Sequence, residues 1–86
     1  MALLDLLGRR WALRIIWELR GDPLSFRELQ KACDGVSPSV LNTRLAELRA
    51  AGIVTDGYAL TPAGVGLLAA FGPLDAWAKA WARRSS

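Results

Sequence analysis

Ser37-Pro38-Ser39-Val40-Leu41-Asn42-Thr43-Arg44-Leu45-Ala46-Glu47-Leu48-Arg49-Ala50-Ala51-Gly52 is the stretch on which the reading of this chain turns. Ser37 is a good N-cap, because its hydroxyl accepts an amide proton left over at the start of a helix, and Pro38 suits the first helical position, where no donor is needed. Gly52 supplies the left-handed geometry that closes a helix, and Arg49 places a cation in the last turn. About four turns are expected. At roughly 100° per residue, Leu41, Leu45 and Leu48 share one stripe, while Ser39, Asn42, Thr43, Ala46 and Ala50 fall on the far side. A solvated face ordinarily carries long charged residues. This one is small and polar, which permits close approach to another surface and hydrogen bonding with it.

Upstream, Ser25-Phe26-Arg27-Glu28 has the form of a capping box, with Ser25 accepting from the Glu28 amide and the Glu28 carboxylate reaching back to the Ser25 amide. A shorter helix starts there with Phe26 and Leu29 on its apolar side, and Cys33-Asp34-Gly35-Val36 interrupts it. Two helices joined by a short Gly-containing turn form a helix-turn-helix, expected over residues 25–51. In such units the first helix crosses the DNA backbone and the second enters the major groove.

The 86 residues are expected to form one domain, residues 1–86, with a modest core. Hydrophobic residues make up 52% and include four tryptophans, more apolar material than so small a monomer hides, so an oligomer is expected. The net charge of +3 permits an anionic partner without specifying one. One cysteine forms no internal disulfide and no zinc cluster. No metal or other cofactor is expected. Neither a signal peptide nor a run of ~18 apolar residues is present, so the protein is expected to be cytoplasmic. With no His, no phosphate-binding glycine motif and no nucleophile beside a base, an enzyme is not expected.

Taken in order, Ala2 to Leu7 reads as a short helix and Arg9 to Arg20 as a second one. Trp11, Leu13, Ile15, Ile16, Trp17 and Leu19 point nearly all round the second, as in the buried centre of a domain. Gly21-Asp22-Pro23 ends it. Ile53-Val54-Thr55 and Tyr58-Ala59-Leu60 flank Asp56-Gly57, the signal for a two-residue hairpin, so a wing is expected at 53–60. Thr61 and Pro62 then open a helical segment over 62–84, where Gly72-Pro73 predicts either a kink or two consecutive helices. The fold class expected is mainly α: a winged helix-turn-helix with a very short β-hairpin wing and terminal dimerisation helices.

The run Arg10-Trp11-Ala12-Leu13 to Trp17-Glu18-Leu19, then Ser25-Phe26-Arg27-Glu28-Leu29, Val36-Ser37, Leu41-Asn42-Thr43-Arg44-Leu45, Glu47-Leu48, Gly52-Ile53 and Leu60-Thr61-Pro62-Ala63-Gly64 resembles the HxlR family of bacterial transcriptional regulators. The similarity continues through Leu67, Leu68, Leu74 and Trp77. It implies a homodimer built through the terminal helices and bound to an inverted-repeat operator. Three departures stand out. Family members commonly carry a cysteine ahead of the Trp motif, whereas the cysteine here is Cys33. The family wing is usually longer and basic, but residues 53–60 contain no Lys or Arg. Position 25, often basic in the family, is Ser25.

The DNA-binding residues expected are Arg27, Lys31, Ser37, Ser39, Asn42, Thr43 and Arg44. Asn42 is suited to bidentate pairing with adenine and Thr43 to a thymine methyl. Arg27 and Lys31 sit four apart on the supporting helix and suit the backbone, although such pairs are often only a solvated face. Ser37 caps its helix whether or not DNA is present. Arg44 lies at the edge of the leucine stripe, open to a phosphate or to an acidic neighbour such as Glu47 or Glu28. Leu3, Leu7, Phe71, Leu74, Trp77 and Trp81 are expected at a dimer interface. Trp77 and Trp81 would otherwise suit the wall of an aromatic ligand site, a less common use of such a stripe. The alternative function is a winged-helix module that binds a protein partner and not DNA.

Overall fold

The computed structural model describes residues 2–85. Among the described residues five helices follow one another as α1 (Leu3–Leu7), α2 (Ala12–Glu18), α3 (Phe26–Ala32), α4 (Pro38–Ala50) and α5 (Pro62–Ser85). α2 is the hub and packs against α1, α3 and α5. Ile15 and Ile16 from its length and Leu19 just past its end, Leu29 from α3 and Cys33 just past it, and Leu41, Leu45 and Leu48 from α4 are almost fully enclosed, joined by Leu6, Ile53 and Val54. Each buried aliphatic side chain of this kind stabilises the fold by about 1.5–3 kcal/mol.

The caps of α3 and α4 include the expected ones, whereas α2 ends at Leu19, ahead of the expected Gly21. Ser25 and Glu28 exchange both bonds of the capping box, at 3.1 and 2.9 Å. The Ser37 hydroxyl accepts from the Val40 amide, and Pro38 opens α4. At the far end Gly52 takes φ 76°, its amide donates to the Arg49 carbonyl, and the Ile53 amide donates to the Leu48 carbonyl. These are the paired 5→2 and 6→1 bonds of a Schellman ending. The turn after α3 closes the same way, with left-handed Asp34 and Gly35 donating to Lys31 and Gln30.

α2 is shorter than the expected 9–20 helix. Trp11 sits at φ 77° ahead of it, and the Arg10 carbonyl is occupied by Arg44 Nε at 3.0 Å, so Arg9 and Arg10 form a turn. Trp17 is not part of the buried centre either. It lies on the surface with the Arg20 guanidinium 4.0 Å from its ring centre. One turn earlier Arg14 latches α2 to the end of α3 by donating to the Ala32 carbonyl at 2.7 Å.

The wing is a single antiparallel bridge, Val54 to Leu60. Its turn differs from the two-residue one expected at Asp56-Gly57. Thr55 donates through its amide to the Ala59 carbonyl, leaving residues 56–58 in the turn, and the left-handed residue is Tyr58 at φ 55° and not Gly57. Three-residue hairpin turns characteristically end on a left-handed residue. Here the Thr55 hydroxyl collects the Gly57 and Ala59 amides, and Tyr58 is flanked by Phe26, 6.2 Å between ring centres, and by Arg49. Those contacts hold a side chain where a glycine was the simpler choice.

α5 is docked by its first turn. Thr61 caps it by accepting from the Gly64 amide at 3.0 Å, while the Thr61 amide donates to the Ile53 carbonyl and its hydroxyl faces the Gly52 and Ile53 carbonyls. Of the two outcomes expected at Gly72-Pro73, a kink or two consecutive helices, the division does not occur, since one helix runs through Pro73. A proline amide cannot donate to the carbonyl four residues earlier. That carbonyl belongs to Ala69 on the exposed side, where water can serve it. No described helix is long and apolar enough to cross a membrane.

Candidate nucleic-acid interface

α4 presents the face anticipated for it. Leu41, Leu45 and Leu48 are fully buried, and Ser39, Asn42, Thr43, Ala46 and Ala50 are exposed. The Asn42 amide makes no hydrogen bond with the described residues, so its donor and acceptor are both available. The Thr43 hydroxyl donates to the Ser39 carbonyl at 2.9 Å, within its own helix, leaving a methyl and lone pairs for any outside partner. Ser39 Oγ lies 3.4 Å from Ser37 Oγ. Ser37 is thus at the edge of the same face while serving as its cap.

α3 adds two cations. Arg27 and Lys31 are exposed, and neither pairs with an acidic side chain among the described residues. Glu28, between them, is already engaged: its bonds to the Ser25 amide and hydroxyl hold its carboxyl below the usual carboxylate range. The cations on this helix are therefore not neutralised by their nearest acidic neighbour.

Arg44 differs. Its side chain is only 17% exposed, with the guanidinium ion-paired to Glu47 and bonded to the Arg10 carbonyl, and Arg9 Nε approaches the other Glu47 oxygen at 3.2 Å. Of its two open roles, the structure shows the pairing with Glu47. The whole cluster fastens α4 to the turn before α2. At 100° per residue Arg44 also points well away from Asn42, whereas Arg49, seven residues on, falls nearly on the same stripe. Arg49 enters the sequence reading only as a helix-end cation. In the fold it reaches the wing, with Nε 3.5 Å from the Thr55 carbonyl and 3.9 Å from Asp56 Oδ1, and its guanidinium 5.2 Å from the Tyr58 ring centre. Only the i, i+7 relation to Asn42 signals this in the sequence.

The residues expected at a dimer interface separate into two groups. Leu74, Trp77 and Trp81 are 57%, 64% and 57% exposed on α5, and Leu3 is exposed on α1. Leu7 packs on its own protomer's core, and Phe71 lines a cleft of ≈ 330 Å³ with Leu13, Arg14, Trp17, Asp75 and Lys79. Leu4 and Trp17 add exposed apolar surface absent from the expected set. Cys33 is fully enclosed, and burial pushes its thiol up from the ordinary cysteine value, which suits a structural residue and not a reactive one.

Comparisons with known proteins follow the same outline. A family profile described as HxlR-like helix-turn-helix matches residues 6–86. YvaP, an uncharacterised HTH-type transcriptional regulator of Bacillus subtilis (strain 168), is 31% identical over 87 residues, covering 90% of this chain and 81% of that protein. The crystal structure of quinone-bound YodB from B. subtilis is similar with a TM-score of 0.82 and 35% identity, over 88% of this chain and 90% of that one. With the family profile spanning nearly the whole chain and a regulator related at this level, the chain belongs to the HxlR-like helix-turn-helix family of transcriptional regulators.

Proposed function

We propose that this protein binds double-stranded DNA sequence-specifically as a homodimer, on an inverted-repeat operator, and regulates transcription from it. The observation that carries the reading is the exposed side of α4, where Asn42 has an unengaged amide among short side chains on a helix whose opposite side is locked into the core. Such a helix enters a major groove without steric conflict and reads base edges there. Ser39, Asn42 and Thr43 are the base-reading set, Arg27 and Lys31 the backbone set, and Ser37 an additional amide-flanked phosphate position. Arg44 acts indirectly, by fixing the angle at which α4 leaves the domain.

Two-fold symmetry is supported by the apolar side chains left uncovered on α1 and α5, among them Leu3, Leu74, Trp77 and Trp81. Two copies joined there would read half-sites about one helical turn, ~10 bp, apart or a multiple of it. Selection of bound fragments from pooled genomic DNA at physiological salt tests the reading. The expected result is a reproducible inverted repeat, with Asn42→Ala relaxing preference at one position in each half-site. Uniform recovery of all sequences, or none, would favour a winged-helix module whose partner is a protein.

A further inference from the structure

We propose that Arg49 is the cation this protein's wing presents to a backbone phosphodiester, and that Asp56 is the counter-ion the phosphate displaces; the inference rests on the DNA-binding reading of α4. The wing has no Lys or Arg of its own between Ile53 and Leu60 and carries one carboxylate, Asp56. By sequence alone it repels DNA. The fold alters that balance by laying the Arg49 side chain from the last turn of α4 across the wing turn.

Three features make the placement more than a surface ion pair. First, Arg49 shares its stripe of α4 with Asn42, two helical turns away, so it borders the surface that would face the duplex. Second, the guanidinium is held over the Tyr58 ring, and Tyr58 is itself fixed in a left-handed conformation beside Phe26. An arginine braced on an aromatic ring loses less freedom when it takes a new partner. Third, both contacts with the turn, to the Thr55 carbonyl and to Asp56 Oδ1, are made through Nε. Neither terminal nitrogen of the guanidinium forms a hydrogen bond with the described residues, which leaves the two-pronged edge that matches phosphate.

Asp56 is fully exposed and stands 3.9 Å from Nε, a separation at which an ion pair in water is weak and easily exchanged. Phosphate in place of the carboxylate exchanges one anion for another without uncovering a buried charge. In the absence of DNA, Asp56 masks the cation and limits attraction to arbitrary sequences. The pair therefore sets the ratio of specific to non-specific affinity in addition to affinity itself.

Fluorescence anisotropy with the selected duplex and with a scrambled duplex, titrated across salt, tests this. Asp56→Asn should tighten binding to the scrambled duplex several-fold. Arg49→Met should make the slope of log K against log salt shallower by nearly two in the dimer, about 0.9 for each of two phosphates, and Arg49→Lys should restore it. In the Arg49→Met background Asp56→Asn should have lost most of its effect. Circular dichroism melts establish that each variant is folded. If Arg49→Met leaves the slope unchanged while Lys31→Ala lowers it, DNA binding stands and the wing role of Arg49 is overturned. That role is overturned as well if Asp56→Asn acts equally with and without Arg49. Absence of duplex binding by the unaltered protein would overturn this inference together with the function beneath it.

Discussion

Gly64, in the first turn of α5, lies directly against the backbone carbonyl of Ile53, so that a β-carbon built on it would overlap the carbonyl oxygen. The atom in the way is main chain, held there by the Thr61 amide, and a rotamer change cannot relieve the clash. Gly64→Ala is expected to destabilise the fold by about 1–3 kcal/mol, as overpacking does. Gly66, two residues on, has open space where its β-carbon would go and lies within the helix. Gly66→Ala should stabilise by about 0.4–1 kcal/mol through the unfolded chain. Urea denaturation of the two variants should therefore shift the midpoint in opposite directions.

Trp77→Ala and Trp81→Ala should weaken self-association while leaving the isolated protomer's helix content intact, because both indoles are already largely exposed. Sedimentation velocity at micromolar concentration is expected to show a dimer for the unaltered protein and a shift toward monomer for the double variant. A monomer for the unaltered protein under those conditions would sink the homodimer.

Salt dependence separates the arginines and lysine by role. With two to four phosphate contacts per protomer, log K against log salt should fall with a slope of about −4 to −7 for the dimer. Lys31→Ala should make it shallower by nearly two units and weaken all sequences alike. Arg44→Ala should act differently, costing about 1–3 kcal/mol of fold stability through its lost bonds to Glu47 and the Arg10 carbonyl, with little change in slope. A large slope change for Arg44→Ala in a fully folded variant would return that residue to the phosphate set.

Glu28 gives a pH signature. Its folded carboxyl is held low by the Ser25 bonds, so its contribution to stability is full above the usual carboxylate range and is lost as pH falls through the folded value. Glu28→Ala should be less stable than the unaltered protein at pH 7, with the gap narrowing at pH 3. A gap that stays constant between those two pH values would show that the capping box depends on the side chain's size and not on its charge.

Ser25, Ser37, Pro38 and Gly52 are legible as caps because each acts on backbone atoms within four residues of itself, and the leucine stripe of α4 because helical periodicity is local. What escapes a local reading depends on distant partners. Arg44 is settled by the Arg10 carbonyl, 34 residues away, and Arg49 by a wing turn whose left-handed residue is Tyr58 where Gly57 carries the stronger local preference. The start of α2 falls short of the expected one for the same reason, since a hydrophobic pattern through Trp11 and Trp17 does not reveal that a long-range bond has claimed the Arg10 carbonyl. Of the six residues expected between protomers, Leu7 turns inward on its own core, a distinction that five consecutive helical residues rich in leucine do not encode.

The passage of α5 through Pro73 also divides the helix energetically without dividing it geometrically. Up to Ala69 its backbone is tied to the domain by the Thr61 cap and by Leu67 and Leu68 against the core. Beyond Pro73, where one rung of the hydrogen-bond ladder is missing, Asp75 and Lys79 still line the cleft against α2, while Leu74, Trp77 and Trp81 are mostly exposed and in the proposed homodimer would be covered by the second copy. Amide hydrogens after Pro73 should accordingly exchange by local opening, at a rate that falls as protein concentration rises, while those before it exchange only with the core. In the proposed homodimer the distal half of α5 would thus be a built-in gauge of assembly, readable one amide at a time.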